Sequence, residues 1–137
     1  MKRIGFTCSA FDLLHAGHVT MLEEAKEQCD YLICGLQIDP SIDRPEKNTP
    51  VQTVSERFIQ LRAVKWVDHI VPYTTEIELL GVMQLIRPHV RIIGEEYRGK
   101  DFTGKDWCRN NDIDIYYNER KHEFSTSELR KRLDKGC

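Results

Sequence analysis

Short apolar segments alternate with helical patterns along the whole sequence, and this alternation is the strongest constraint on the fold. Five segments are β-prone: 3–8, 31–38, 68–73, 89–94 and 113–118. Helical spacing marks 18–29, 54–66, 76–87, 106–111 and 125–133. Ser55 is a candidate cap of the second of these helices, and Ser125 with Glu128 forms an S-x-x-E capping box at the start of the last. Strands that alternate with helices in this way are parallel and are joined by right-handed crossovers. The sequence therefore predicts an α/β fold, a Rossmann-like three-layer sandwich around a five-stranded parallel sheet.

Length and composition limit the possible classes of protein. The 137 residues are predicted to form a single domain, 1–137. Lys and Arg total 20 and Asp and Glu total 22, so the net charge of −2 argues against a nucleic-acid-binding protein. No apolar run approaches the roughly 18 residues of a membrane span, and the first residues do not resemble a signal peptide. We expect a cytoplasmic protein with no membrane partner.

Five cysteines occur at irregular spacing: Cys8, Cys29, Cys34, Cys108 and Cys137. Their number is odd and no two form a C-x-x-C pair, so the sequence predicts neither a disulfide framework nor a cysteine zinc site. We expect free thiols in a reducing cytoplasm, with Cys8 as a small buried residue on the first strand.

Two long loops follow predicted strands. Residues 39–53 contain three prolines and no periodicity, and residues 94–106 are glycine-rich. In open parallel sheets, ligands bind beyond the carboxyl ends of the strands, where the strand order reverses. The first strand ends at about Cys8, so the stretch after it and both loops are predicted to meet at one edge. We therefore expect the ligand site at the carboxyl edge of the sheet.

The stretch after the first strand, AFDLLHAGHVTMLEEA (10–25), places His15 and His18 at the start of a predicted helix. A helix N-terminus carries unpaired N–H groups and a partial positive charge, and it therefore attracts anions. Each imidazole can donate a hydrogen bond to a phosphate oxygen, and Gly17 lets the backbone approach closely. The arrangement suits a polyphosphate whose negative charge grows in a transition state.

Two other interpretations of the histidine pair were weighed against this one. A histidine at a helix start is commonly just a polar cap, but two around a glycine, after an F-D turn, are harder to explain in this way. Zinc sites on helices favour histidines four residues apart, as in H-E-x-x-H. Here the spacing is three, and no cysteine or acid stands in the right relation, so we predict no zinc site.

These residues carry a family resemblance. FDLLHAGH (11–18) resembles the H-x-G-H signature of the nucleotidyltransferase superfamily, and nearly the whole chain is similar to the small cytidylyltransferases of the glycerol-3-phosphate cytidylyltransferase type. The resemblance includes the segments 54–72, IIGEEYRGK (92–100) and RKHEFSTSELRKRL (120–133). The last resembles the family's R-T-E-G-I-S-T-T motif. The sequence departs from the family at Ala10, where a hydroxyl residue is common, and at residues 121–124, which replace T-E-G-I.

The resemblance implies an enzyme that binds a nucleoside triphosphate with Mg²⁺, the ion being held mainly through the phosphates. A phosphate oxygen of a second substrate attacks the α-phosphorus and pyrophosphate leaves, without a covalent enzyme intermediate. Catalysis then consists of positioning and charge stabilisation. The first candidate reaction is transfer of CMP from CTP to a phosphorylated small alcohol, glycerol 3-phosphate, which gives a CDP-linked product. The family also implies a homodimer.

The same resemblance assigns residues to the site. His15, His18, Lys47 and Arg120 are the expected catalytic residues, and Lys47 and Arg57 are expected to hold the phosphate of the second substrate. No residue is assigned directly to the metal, although Asp39, Glu95 and Glu96 follow strands at the active edge. The residues expected to contact the nucleotide are Ser9, Ala10, Phe11, Asp12, His15, His18, Asp39, Gly94, Glu95, Arg120, Ser125 and Thr126. For Asp12, a structural role in the turn is the alternative.

Two alternatives to this function stay open at the level of sequence. An adenylyltransferase that uses ATP and acts on a sugar phosphate or a cofactor precursor would have the same fold and catalytic residues. A catalytically silent nucleotide-binding module is the third alternative, although it would need fewer of these residues. Pyrophosphate release separates the silent module from the enzymes, and a comparison of CTP with ATP separates the two enzymes.

Overall fold

The computed structural model describes residues 2–119 and 124–136, and within these ranges the chain forms five strands and six helices. The strands are β1 (Ile4–Ser9), β2 (Tyr31–Gln37), β3 (His69–Tyr73), β4 (Val90–Gly94) and β5 (Asp114–Asn118). The helices are α1 (Ala16–Glu27), α2 (Pro40–Asp43), α3 (Val54–Arg62), α4 (Glu76–Ile86), α5 (Lys105–Asn110) and α6 (Thr126–Gly136). Each element predicted from the pattern is present, with ends shifted by a few residues.

All pairings in the sheet are parallel, and the strand order is β3-β2-β1-β4-β5. From β1, the chain builds the sheet outward through β2 and β3, and it then returns to add β4 and β5 on the other side. The order therefore reverses between β1 and β4. A crevice forms at such a reversal, beyond the carboxyl ends of the two strands.

Helices cover both faces of the sheet. On one face, α1 and α3 contribute Leu22, Ala25 and Leu61 to a core with Leu32 and Ile92. On the other face, α4 contributes Leu79 and Met83 against Phe6, Ile33 and Tyr73. Because both faces are buried, β2 is apolar along most of its length, as the sequence pattern indicated. The predicted three-layer α/β fold is confirmed.

The prediction from the sequence and the structure differ in the loops and at one helix cap. Residues 39–53, predicted as a loop, contain the short helix α2, which starts at a proline and is capped by the Asp39 carboxylate. Helix α3 is capped by Thr53 and not by Ser55, because Thr53 and Glu56 form a reciprocal capping box. A short 3₁₀ turn, Glu95–Tyr97, follows β4.

Two further sequence expectations concern membrane spans and thiols. In the part of the chain that the structure describes, no helix is long and apolar enough to cross a lipid bilayer. Cys8, Cys29, Cys34 and Cys108 are free thiols, as expected, and Cys137 lies outside the described residues. Cys8, expected to be buried, is only partly buried, because it lines the larger of the two cavities described below.

Candidate active site

Two adjoining cavities lie at the carboxyl edge of the sheet, at the reversal between β1 and β4. The smaller cavity has a volume of about 280 Å³ and is lined by His15, His18, Ser125 and Thr126 among others. The larger has a volume of about 650 Å³. Four residues line both cavities: Met21, Gly94, Glu96 and Asn118. The molecule therefore offers two binding spaces with a common wall.

The two histidines cap helix α1 with their own side chains. His15 is the N-cap residue, and its Nδ1 accepts a hydrogen bond from the Gly17 backbone N–H at 3.0 Å. Nδ1 of His18 accepts from the His15 backbone N–H at 3.2 Å. The capping interpretation of the histidines is thus correct, but it uses only one nitrogen of each ring. Because each Nδ1 is an acceptor, the ring proton of each neutral imidazole lies on Nε2, which makes that nitrogen a donor.

His18 is held in its neutral form at physiological pH. The pKa of His18 is lowered to about 4, chiefly by burial and also by the neighbouring His15, against a smaller opposing effect of Asp12. The two rings lie against each other with centroids 4.0 Å apart. The smaller cavity therefore has hydrogen-bond donors from uncharged imidazole at a helix N-terminus, where an anion is favoured.

A sharp turn connects β1 to α1 and sets the position of the histidines. Phe11 and Leu13 have φ values of 50° and 51°, a left-handed conformation that is costly for bulky residues. Ser9 Oγ accepts from the Phe11 N–H at 3.3 Å. The Phe11 side chain is buried in the core and its ring lies 5.7 Å from that of His18, so Phe11 supports a histidine and lines neither cavity.

Asp12 connects this turn by hydrogen bonds to the segment before α3. Its two carboxylate oxygens accept from the backbone N–H groups of Val51 and Gln52 at 2.8 and 3.0 Å. Arg130 on α6 lies 3.8 Å away and forms an ion pair with it. Of the two roles open to Asp12, a turn role and a direct nucleotide contact, the geometry favours the turn role.

Arg57 occupies a different place from the one expected. Its side chain is 2% exposed, and its guanidinium donates to the carbonyl oxygens of four residues at 2.5–3.2 Å. The four residues are Ala10, Gln37, Ile38 and Gln52. Ala10 and Ile38 lie in the loops after β1 and β2, Gln37 is the last residue of β2, and Gln52 precedes the α3 cap. The expected contact of Arg57 with the phosphate of the second substrate is not supported, because these hydrogen bonds occupy four of its five N–H donors. Arg57 positions the loops of the site.

Helix α6 supplies a second N-terminus to the smaller cavity. Ser125 Oγ accepts from the Glu128 backbone N–H at 3.0 Å, as the S-x-x-E pattern predicted. Ser125 and Thr126 line the smaller cavity together with Phe124. Arg120, the arginine of the predicted final motif, lies outside the described residues.

Most of the remaining predicted residues line the larger cavity, and one of them caps a helix. Ser9, Ala10, Gly94 and Lys47 line the larger cavity. Asp39 instead caps α2, where its carboxylate accepts from the N–H and hydroxyl of Ser41.

After β4, the residue at the cavities is Glu96. The predicted nucleotide contact Glu95 is exposed and lines neither cavity, whereas Glu96 lines both. This one-residue difference arises because β4 ends in the 3₁₀ turn, which re-aims successive side chains.

Several polar residues of the larger cavity were missed by the sequence analysis: Gln37, Arg44, Tyr73, Glu76, Arg91 and Asn118. Arg91 had a visible signal, because it interrupts the apolar strand HVRIIG. The others lie at strand ends, in a loop or, for Glu76, at a helix start, where composition alone does not separate a cavity wall from a solvated surface.

Magnesium fits this site only as an ion shared with a ligand. Among residues 2–119 and 124–136, no group of three or more His, Cys, Asp or Glu side chains could hold a metal ion. Mg²⁺ commonly takes one or two carboxylates beside substrate phosphates. Glu96 lies at the common wall of the cavities and is suitably placed to be such a carboxylate.

The fold and the site define a class of protein, the nucleotidyltransferases. The chain belongs to the Cytidylyltransferase-like family, and the family model matches residues 6–132. The predicted superfamily is thereby confirmed.

Relatives of this chain include larger proteins. It is similar to the bifunctional protein HldE of Rhodospirillum rubrum, with 35% identity over 135 residues, 98% of this chain and 27% of that protein. The HldE of Aliarcobacter butzleri is 39% identical over 106 residues, 77% of this chain and 22% of that protein. The chain thus spans about a quarter of the length of these relatives.

Solved structures share the fold. A lipopolysaccharide core biosynthesis protein from Thermoplasma volcanium superposes with a TM-score of 0.73 and 18% identity, over 89% of this chain and 100% of that chain. A pantoate-β-alanine ligase from Francisella tularensis superposes with a TM-score of 0.64 and 14% identity, over 97% of this chain and 69% of that chain. At these identities the likeness concerns the fold alone.

Proposed function

We propose that this protein transfers a nucleoside monophosphate from a nucleoside triphosphate to the phosphate of a small molecule, with release of pyrophosphate. The observation that carries the proposal is the pair of cavities with a common wall of Met21, Gly94, Glu96 and Asn118. The smaller cavity, with two histidines at a helix N-terminus, suits a triphosphate. The larger cavity gives the second substrate a place from which its phosphate can reach the α-phosphorus.

The side chains of the smaller cavity stabilise developing charge. An oxygen of the acceptor phosphate forms a bond to the α-phosphorus, and the bond from this phosphorus to the bridging oxygen of the β-phosphate breaks, so pyrophosphate carries away the electron pair. His15 and His18 donate from Nε2 to phosphate oxygens, and the N-termini of α1 and α6 add their N–H groups. Lys47 and Arg120 remain the proposed cationic residues. No proton needs to leave either histidine.

Mg²⁺ would be held by the nucleotide phosphates and Glu96, and when bound it supplies neutralisation of the phosphate charge. Glu96 lines both cavities, so its carboxylate is the group among the described residues that would hold the ion beside the phosphates.

The proposed nucleotide is CTP and the first candidate acceptor is glycerol 3-phosphate, both from the family resemblance. A second candidate pair is ATP and a sugar phosphate, and the size of the larger cavity favours the larger acceptor. Its volume of about 650 Å³ lies in the range of cavities that enclose drug-sized ligands, more than a three-carbon phosphate needs. A catalytically silent nucleotide-binding module is the third candidate.

The proposal includes a homodimer in a reducing cytoplasm. The four described cysteines are all free thiols, which suits such a compartment. Light scattering tests the dimer: we expect a mass of about two chains, and a mass of one chain at assay concentrations contradicts it.

Pyrophosphate release in the presence of Mg²⁺ tests the function. CTP or ATP is offered with a panel of phosphorylated alcohols and sugars that includes glycerol 3-phosphate. Turnover with CTP and glycerol 3-phosphate supports the first candidate, and turnover with ATP and a sugar phosphate supports the second. No pyrophosphate from any pair, while nucleotide binding is measurable, supports the silent module and contradicts the proposed transfer.

A further inference from the structure

Arg91 is an arginine in the interior of the sheet. It lies on β4, where it pairs with Phe6 of β1 and Ile115 of β5, and it is 3% exposed. Its side chain lines the larger cavity and not the smaller one. Arginine keeps its charge under all physiological conditions. The wall of the larger cavity therefore contains a buried, permanent positive charge.

The protein does not neutralise this charge within the described ranges. No carboxylate of residues 2–119 or 124–136 forms an ion pair with Arg91. Nη1 donates to Cys8 Sγ at 3.3 Å, a weak acceptor, and Nε is buried with no partner. The guanidinium also lies over the rings of Phe6 and Phe102, at 5.6 and 5.9 Å. A buried charge with such partners is costly, which indicates a partner that the described residues do not supply.

Two residues that line the same cavity also carry unpartnered polar atoms. Arg44 Nε and Glu76 Oε2 are buried and have no hydrogen-bond partner in the described residues, although the two side chains form an ion pair with N···O of 3.6 Å. Both residues line the larger cavity. An unpartnered donor and an unpartnered acceptor on two side chains that form an ion pair match a hydroxyl group, which accepts one hydrogen bond and donates another.

We propose that Arg91 anchors an oxyanion of the second substrate, a phosphate or a carboxylate, and is a specificity-determining residue. The assignment rests on the proposed function in one respect, namely that the larger cavity holds the second substrate. Arg91 thereby takes the role that the sequence suggested for Arg57. The Arg44–Glu76 pair binds hydroxyl groups of the same substrate, so the preferred acceptor is an anion that also carries hydroxyls.

The test uses the Nε–Hε signal of Arg91 in ¹⁵N–¹H spectra of the whole protein, assigned by its absence in Arg91→Lys. Inorganic phosphate and malonate are titrated separately, so the two arms distinguish a phosphate from a carboxylate partner. We expect a saturable shift of this signal with at least one anion. The proposal is overturned if neither anion moves the signal at concentrations that shift the backbone amides of Gly17 and His18.

These amides also separate this proposal from the proposed function. A shift of Arg91 Nε–Hε without any response of the Gly17 and His18 amides supports the oxyanion site and counts against a triphosphate at α1. The reverse result leaves the triphosphate site in place and removes the role of Arg91.

Variants distinguish binding from a structural role. Arg91→Met keeps an unbranched chain and removes the charge, and Arg109→Met is the control because Arg109 is exposed on α5. If the buried charge of Arg91 is stabilised only by a bound ligand, Arg91→Met is expected to melt at the wild-type temperature or above it in anion-free buffer. We expect its KM for the acceptor to rise about 10- to 100-fold, as for a lost charge-assisted hydrogen bond, with the KM for the nucleotide near wild type. Arg91→Lys is expected to recover part of the loss.

A lower melting temperature for Arg91→Met with both KM values unchanged assigns Arg91 to packing and overturns the proposal.

Discussion

Replacing Arg57 with lysine is expected to destabilise the protein by about 2–6 kcal/mol. The guanidinium holds four carbonyl oxygens on three segments of chain. A lysine ammonium is a compact donor at the end of a flexible chain and cannot span this set. We expect at least two carbonyls to lose their donor, and each buried polar group left unpaired costs about 1–3 kcal/mol. At about 4 °C per kcal/mol for a domain of this size, the melting temperature falls by about 8–24 °C.

The assay is thermal unfolding followed by circular dichroism, with acceptor and nucleotide KM values measured below the transition. Arg62→Lys is the matched control, because Arg62 is exposed on the same helix and makes no comparable set of bonds. If Arg57 instead bound the phosphate of the second substrate, the lysine variant would melt near the wild type and show a raised KM for the acceptor alone. A melting temperature within about 3 °C of the wild type, less than about 1 kcal/mol, would refute the reasoning.

Three further predictions concern the helix N-termini. His18→Ala is expected to lower kcat by about 10²–10³, the scale for loss of one preorganised donor, and unchanged turnover relative to a His69→Ala control contradicts the assignment. Because burial lowers the pKa of His18 to about 4, the unfolded chain binds more protons than the folded one between about pH 4 and 6.5. The contribution of neutral His18 to the free energy of unfolding is therefore fully present above about pH 6.5, and it falls by roughly 2–3 kcal/mol toward pH 4, allowing for partial exposure. Urea unfolding at several pH values should show a flatter pH dependence of this free energy in His18→Gln. Ser125→Ala removes the α6 cap and is expected to cost about 1 kcal/mol in thermal unfolding, whereas Ser127→Ala, on the exposed side, should cost little.

The fold followed from the sequence because its signals are local. Strand and helix periodicities, together with capping residues such as Ser125, act over a few residues. Their alternation restricts the sheet to parallel strands, which confirms the predicted layers. The sequence failed where a local signal was short or had a competitor, as for α2 after Asp39 and for the Thr53 cap beside Ser55.

The histidine pair shows how far residue chemistry carries the prediction of a site. The position of His15 and His18 at a helix N-terminus was predicted from the pattern, and the structure gives both rings a capping bond as well. Capping and ligand binding were competing interpretations of the sequence. They coexist in the structure because an imidazole has two nitrogens, and the bond at Nδ1 determines what Nε2 can do.

The sequence by itself determined the layers, the edge of the sheet that carries the proposed site and the helix start with its two histidines, since each depends on neighbours in the chain. Only the tertiary structure decided which charged side chains have hydrogen-bond partners among the described residues and which lack them. Arg57 meets Ala10 across 47 residues, and Arg91 meets Cys8 across 83. Each arginine has an apolar residue directly after it in the sequence, yet Arg57 has four carbonyl acceptors and Arg91 a single thiol. Hydrogen-bond satisfaction depends on groups that are brought together by the whole fold, and no local pattern specifies it.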